Sequence, residues 1–114
     1  MSKSEPTYTL RTRVVIFWEN SLWIAQGLDY DITGHGARVY DALDNLVETF
    51  VGQGLVDLKH GYLPLANTQS APQFYWDKFK GATPLAEKRE KRFSLPEAVP
   101  PAFMVEANDL RIDA

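Results

Sequence analysis

The chain has 114 residues, 12 Lys plus Arg against 15 Asp plus Glu, a formal charge of −3, 45% hydrophobic residues and no cysteine. A second full domain is excluded by length, while about two-thirds of the unfolded surface can be buried at this size, so a packed core needs no covalent staple. Disulfides, thiol nucleophiles and cysteine-based metal centres are excluded, and mild acidity does not suit nucleic-acid binding over the whole surface. No apolar run reaches the roughly 18 residues that span a membrane, and Met1-Ser2-Lys3-Ser4-Glu5-Pro6 lacks the apolar core of a signal peptide. The expectation is one soluble, cytoplasmic domain over 1–114, with no membrane partner.

From Tyr8 to Trp18 the segment YTLRTRVVIFW alternates as a long strand. Leu10, Thr12, Val14, Ile16 and Trp18 share one face, and Arg11, Arg13, Val15 and Phe17 share the other. Glu19-Asn20-Ser21 is a polar break before Leu22 to Leu28 resumes the pattern, which predicts a β-hairpin. A third strand near Tyr30 to Thr33 ends at Gly34-His35-Gly36. The period then changes: Val39, Ala42, Leu43, Leu46, Val47 and Phe50 recur as one face of an amphipathic helix. No Ser, Thr, Asp or Asn stands just before Arg38, so Gly36 or Ala37 is expected as a poor cap. Gly52 and Gly54 mark the end of the helix unless Leu55 to Leu58 add a turn.

Gly61 to Ser70 reads as loop. Ala71-Pro72 introduces a short aromatic helix, QFYWDKF, which Gly81 to Pro84 breaks. LAEKREKRF over 85–93 fits a helix or a solvated loop, and Pro96 to Pro101 is turn material. Ala102 to Ile112 forms a last strand, or two short ones around Asn108-Asp109.

A β-β-β-α unit followed by a late strand makes an α+β fold. It is expected as a two-layer β-β-β-α-β sandwich, one helix lying across a small antiparallel sheet, with an irregular or short-helical second half. The core occupies 8–52, a loop-rich segment with the aromatic helix 61–101, and the terminal strand 102–112. Val15, Phe17 and Trp23 are placed opposite Val14, Ile16 and Ile24. Leaving that second face open would forgo about 25 cal/mol per Å² of apolar area. Phe74, Trp76 and Phe79 together with a second copy of the chain are the expected cover, hence a homo-oligomer.

Residues 14–36, VVIFWENSLWIAQGLDYDITGHG, and the helix 37–50, ARVYDALDNLVETF, resemble the HicB-like antitoxin family. The resemblance rests on Trp23-Ile24-Ala25-Gln26-Gly27-Leu28-Asp29-Tyr30-Asp31, on Asp41-Ala42-Leu43-Asp44-Asn45-Leu46-Val47-Glu48, and on Pro72-Gln73-Phe74-Tyr75-Trp76. It covers about a third of the chain. What it implies is a fold likened to a truncated ribonuclease H domain, no catalysis, oligomerisation, and masking of a small, basic, RNA-cleaving toxin. Two features depart from the family pattern. Ala37-Arg38 replaces the usual polar cap, and residues 61–114 show none of the helix-turn-helix or ribbon-helix-helix pattern that members append to bind operator DNA.

A ribonuclease H-like centre needs carboxylates on the first strand to hold two divalent metals, and residues 8–18 contain neither Asp nor Glu. No catalytic residue, metal ligand or cofactor is therefore assigned. Asp29, Asp31 and His35 have the types and spacing of an oxygen-and-imidazole site, although acidic residues bracketing a strand end are ordinarily solvated turn formers. Lys88, Arg89, Lys91 and Arg92 form the one basic cluster. It reads either as a salt-laced helical face with pairs such as Glu87–Lys91 or as a contact for RNA or an acidic partner, which Arg11 and Arg13 join if the tail folds back. Trp18, Trp23 and Tyr40 are the partner-binding candidates, since aromatics supply much contact area per ordered side chain. The leading reading is a non-catalytic binding module that sequesters a protein partner. The alternative is a stand-alone oligomer of the same fold with a regulatory or RNA-related role and no toxin.

Overall fold

The computed structural model describes residues 7–85, 89–93 and 102–113, with side chains for 9–85 and 105–113. Strands β1 (Thr7–Glu19), β2 (Leu22–Gly27) and β3 (Thr33–Gly36) are followed by α1 (Val39–Lys59), α2 (Gln73–Lys80), β4 (Thr83–Leu85), β5 (Arg89–Phe93) and β6 (Ala102–Asp113). The six strands form one sheet in the order β3-β2-β1-β6-β4, with β5 also on β6. The α+β class holds. The sheet is mixed rather than antiparallel, because β6 runs parallel to β1 from Thr7↔Ala102 to Phe17↔Asp113.

The hairpin turn is shorter than the polar break predicts. Asn20 and Ser21 alone form it, both with left-handed backbone (φ 53° and 66°), so Glu19 still pairs with Leu22 and Trp18 with Trp23. One residue of register reverses both faces. Trp23 therefore packs on the α1 side with Val14 and Ile16, while Ile24 joins Val15 and Phe17 on the other, the reverse of the expected assignment.

Strand β3 also differs from expectation, since the glycine-bearing segment is the strand itself and not its end. A Cβ on Gly34 would overlap the backbone of Leu46 and Ala42, and one on Gly36 would overlap Ala42 and Asp41. Helix α1 thus lies directly on this edge of the sheet, closer than any side chain permits. It continues through Gly52 and Gly54 to Lys59, because Leu46, Phe50 and buried Gly54 keep facing the sheet. Its N-cap is Arg38, with no side-chain cap bond. Val14, Ile16, Leu43, Leu46, Phe50 and Leu110 lie at the centre of this core.

The opposite face is covered by the chain's own second half. The aromatic helix α2, entered from Pro72 as expected, sets Tyr75, Trp76 and Phe79 against Val15, Phe17 and Leu28. Helices therefore lie on both faces, a departure from two layers, and a second copy is not required to cover this one. Phe74 does not join that cover and is largely exposed.

Residues 89–93 pair antiparallel with β6, from Arg89↔Ala107 to Phe93↔Phe103, so the basic run is a strand and not a helical face. Pairing with β6 satisfies the backbone groups on one of its edges, and the charged residues on this outer strand discourage further pairing. Arg89, Lys91 and Arg92 belong to this strand, whereas Lys88, Glu87 and the turn at 96–101 lie outside the described residues. Residues 102–113 form one continuous strand, but it carries an extra residue: Thr12 pairs with Ala107 and Val14 with Leu110, leaving a bulge at Asn108-Asp109.

Among the described residues, no helix is long and apolar enough to cross a membrane.

Candidate functional site

Two surfaces stand out, on opposite faces of β1. The first is at the hairpin end. Trp18 and Trp23 are register partners whose rings meet edge to face, with centroids 5.4 Å apart. Trp18 is 55% exposed, while Trp23 is half-buried against the α1 core. A cross-strand aromatic pair stiffens the hairpin, leaving a large apolar ring in water on a rigid support. Tyr40, 44% exposed, occupies the first turn of α1, which begins over Gly36, the register partner of Trp23. The structure thus joins Trp18 to Trp23 and sets Tyr40 on the neighbouring element.

The second surface lies on the α2 side, where β1 continues past the helix. Here the odd-numbered residues are polar. Arg11 donates through Nε to Glu106 Oε1 at 2.8 Å, and Asn108 Nδ2 donates to the same oxygen at 3.2 Å. Arg13 donates to both oxygens of Asp29, from Nη2 at 2.5 Å and Nε at 3.2 Å, and its backbone N–H adds a bond of 2.7 Å. The guanidinium carbon of Arg13 also sits 4.6 Å from the centroid of the Trp76 ring. Trp76 is itself fixed by its indole N–H to the Ala71 carbonyl at 3.2 Å. Burial pushes the Asp29 carboxyl up, but the bonds from Arg13 outweigh it and hold the group below the ordinary carboxylate range. Arg13 is raised, chiefly by its side-chain bond to Asp29. Between these pairs lies an open groove of about 490 Å³ lined by Arg11, Arg13, Asp29, Asn108 and Asp109.

Asp29, Asp31 and His35 do not converge. Asp29 is committed to Arg13, Asp31 accepts from Gln26 Nε2 at 2.8 Å, and the His35 backbone is tied to Asn45. Gln26 is the buried organiser of this turn, since its oxygen also accepts from Thr33 Oγ1 at 2.7 Å. Among the described residues no three His, Cys, Asp or Glu side chains gather as metal ligands.

Sequence reasoning paired Arg11 and Arg13 on one face but missed Glu106 and Asn108. They become neighbours only through the parallel β1–β6 register, which no local pattern encodes. The tail does fold back, since β5 lies on the far side of β6 from β1. No family model, curated protein or solved structure matches the chain.

Proposed function

We propose that the chain is a HicB-like, non-catalytic binding module that sequesters a protein partner by covering its surface, through the hairpin end bearing Trp18 and Trp23. The observation that carries this reading is the exposed Trp18 ring held edge to face on half-buried Trp23. Large aromatics held on a rigid element are the residues that most often dominate binding energy. The sheet order β3-β2-β1-β6, with β1 and β6 parallel and α1 over one face, supports the likeness to a truncated ribonuclease H domain.

The partner implied by the resemblance is a small basic protein with ribonuclease activity. The test is co-expression of the chain with the product of the adjacent gene, followed by co-purification and growth rescue. A stable complex that abolishes the partner's toxicity supports sequestration. Absence of a complex, with growth unaffected by the neighbour, favours the stand-alone alternative. The groove at Arg11 and Arg13 is the feature that suits such an alternative role.

A further inference from the structure

We propose that the groove over the β1–β6 pair binds a phosphate ester that also carries hydrogen-bond donors, the chemistry of a guanine nucleotide, either free or as a residue of single-stranded RNA. This goes beyond the partner-binding reading and does not depend on it, because the groove lies on the sheet face opposite Trp18 and Trp23. Along β1 the two are separated by five to seven residues, about 16–23 Å at the rise of a strand.

Arg11 is the anion-binding element. Glu106, buried in the sheet, holds its Nε, so the guanidinium plane is aimed outward and both η nitrogens have no partner among the described residues. The side chain is 62% exposed. A planar fork oriented in advance in this way matches two oxygens of a phosphate or carboxylate. Arg13 is different, for it is already spent on Asp29 and Trp76 and serves as the groove's fixed wall.

The remaining groups restrict what the anion is attached to. The lining carries Arg11 and Arg13 against Asp29 and Asp109, so it is balanced and would not reward a bare polyanion. Asp29 is saturated by Arg13. Asp109 is held more loosely, by Arg111 Nε at 3.5 Å. The bulge sets Asp109 in left-handed backbone, φ 48°, a conformation uncommon for a residue other than glycine. Beside it, the Asn108 amide donates to Glu106, and its side-chain oxygen has no hydrogen-bond partner among the described residues. Acceptors beside an arginine fork call for a ligand with adjacent N–H donors, and guanine presents two, at N1 and N2, that one carboxylate accepts together. The groove volume falls within the range of small-ligand sites.

The experiment titrates the full chain with inorganic phosphate, guanosine monophosphate, uridine monophosphate and a guanine-containing RNA octamer at two salt concentrations. Heat of binding and tryptophan emission are followed together, since Trp76 borders the groove through Arg13. Saturable binding of the guanine ligands, at least tenfold tighter than phosphate or uridine monophosphate, is expected. Arg11→Ala should weaken it tenfold or more. Asp109→Asn should weaken the guanine ligands and leave phosphate unchanged or tighter. Tighter binding of the octamer than the mononucleotide, with a steeper salt dependence, identifies RNA as the source, and the reverse identifies free nucleotide. Arg11→Lys keeps the charge and loses the fork, so a folded Arg11→Lys chain with weakened binding answers for an Arg11→Ala chain that fails to fold. No saturation by either guanine ligand at millimolar concentration, or unchanged binding in the Arg11 variants, overturns the proposal.

Discussion

Asn45 accepts a hydrogen bond from the backbone N–H of His35 at 2.9 Å, so helix α1 closes an outward-facing donor of the edge strand β3. An edge strand offers unpaired backbone groups to any other strand, and a side chain that occupies one of them blocks continuous pairing. The pairing of copies strand edge to strand edge is thereby discouraged at this edge. Asn45→Ala should cost about 0.5–1.5 kcal/mol and introduce concentration-dependent self-association, measured by sedimentation velocity. Asn45→Asp retains the acceptor and should sediment like the parent chain.

The Arg13–Asp29 contact makes a prediction about acid. Asp29 has its carboxyl lowered in the folded state, so the stabilisation is complete above the unfolded value of about 3.9 and is lost as pH falls through the lower folded value. Asp29→Asn should therefore flatten the acid limb of the stability curve below about pH 4. At pH 7 it should cost on the order of 1 kcal/mol, since the pair is partly exposed and screened. Urea unfolding at pH 3, 4 and 7 measures both effects.

Gly34 is required by the closeness of α1 to β3 and not by its dihedral angles. Gly34→Ala forces the helix off the strand and should destabilise the chain by about 3 kcal/mol or more, read as a drop in Tm. Gly52→Ala, at an exposed helical position with nothing near the added Cβ, should instead stabilise by about 0.5–1 kcal/mol.

The elements legible in the sequence were those with a side-chain period. Strand β1, α1 and α2 follow from alternation or from apolar spacing, and Pro72 announces α2. Strand β3 has two glycines in four residues and therefore no pattern to read. Glu19 looks like turn but belongs to the strand, so the faces of β2 are the reverse of those its pattern predicts, a difference set by two left-handed residues, Asn20 and Ser21. Strand β5 is dense in charge because it lies outside β6, and composition alone does not separate that from a solvated helix. Of the candidate site, Trp18 and Trp23 stand out by residue type and do meet. Asp29, Asp31 and His35 are near one another in sequence but are drawn apart by Arg13, Gln26 and Asn45. Glu106 carries no signal, since its parallel neighbour Arg11 is 95 residues away in sequence and leaves no local trace, and Asn108 is brought to the groove only with it.

The most direct measurement of the central claim is the affinity of the parent chain and of Trp18→Ala for the product of the adjacent gene, by isothermal titration. Trp18 is exposed at the hairpin tip, so its removal should leave the Tm within a few degrees. It should weaken the complex by about 2 kcal/mol or more, roughly thirtyfold. An unchanged affinity in a folded Trp18→Ala chain would contradict the assignment of this surface, and no complex with the parent chain would contradict sequestration of that partner.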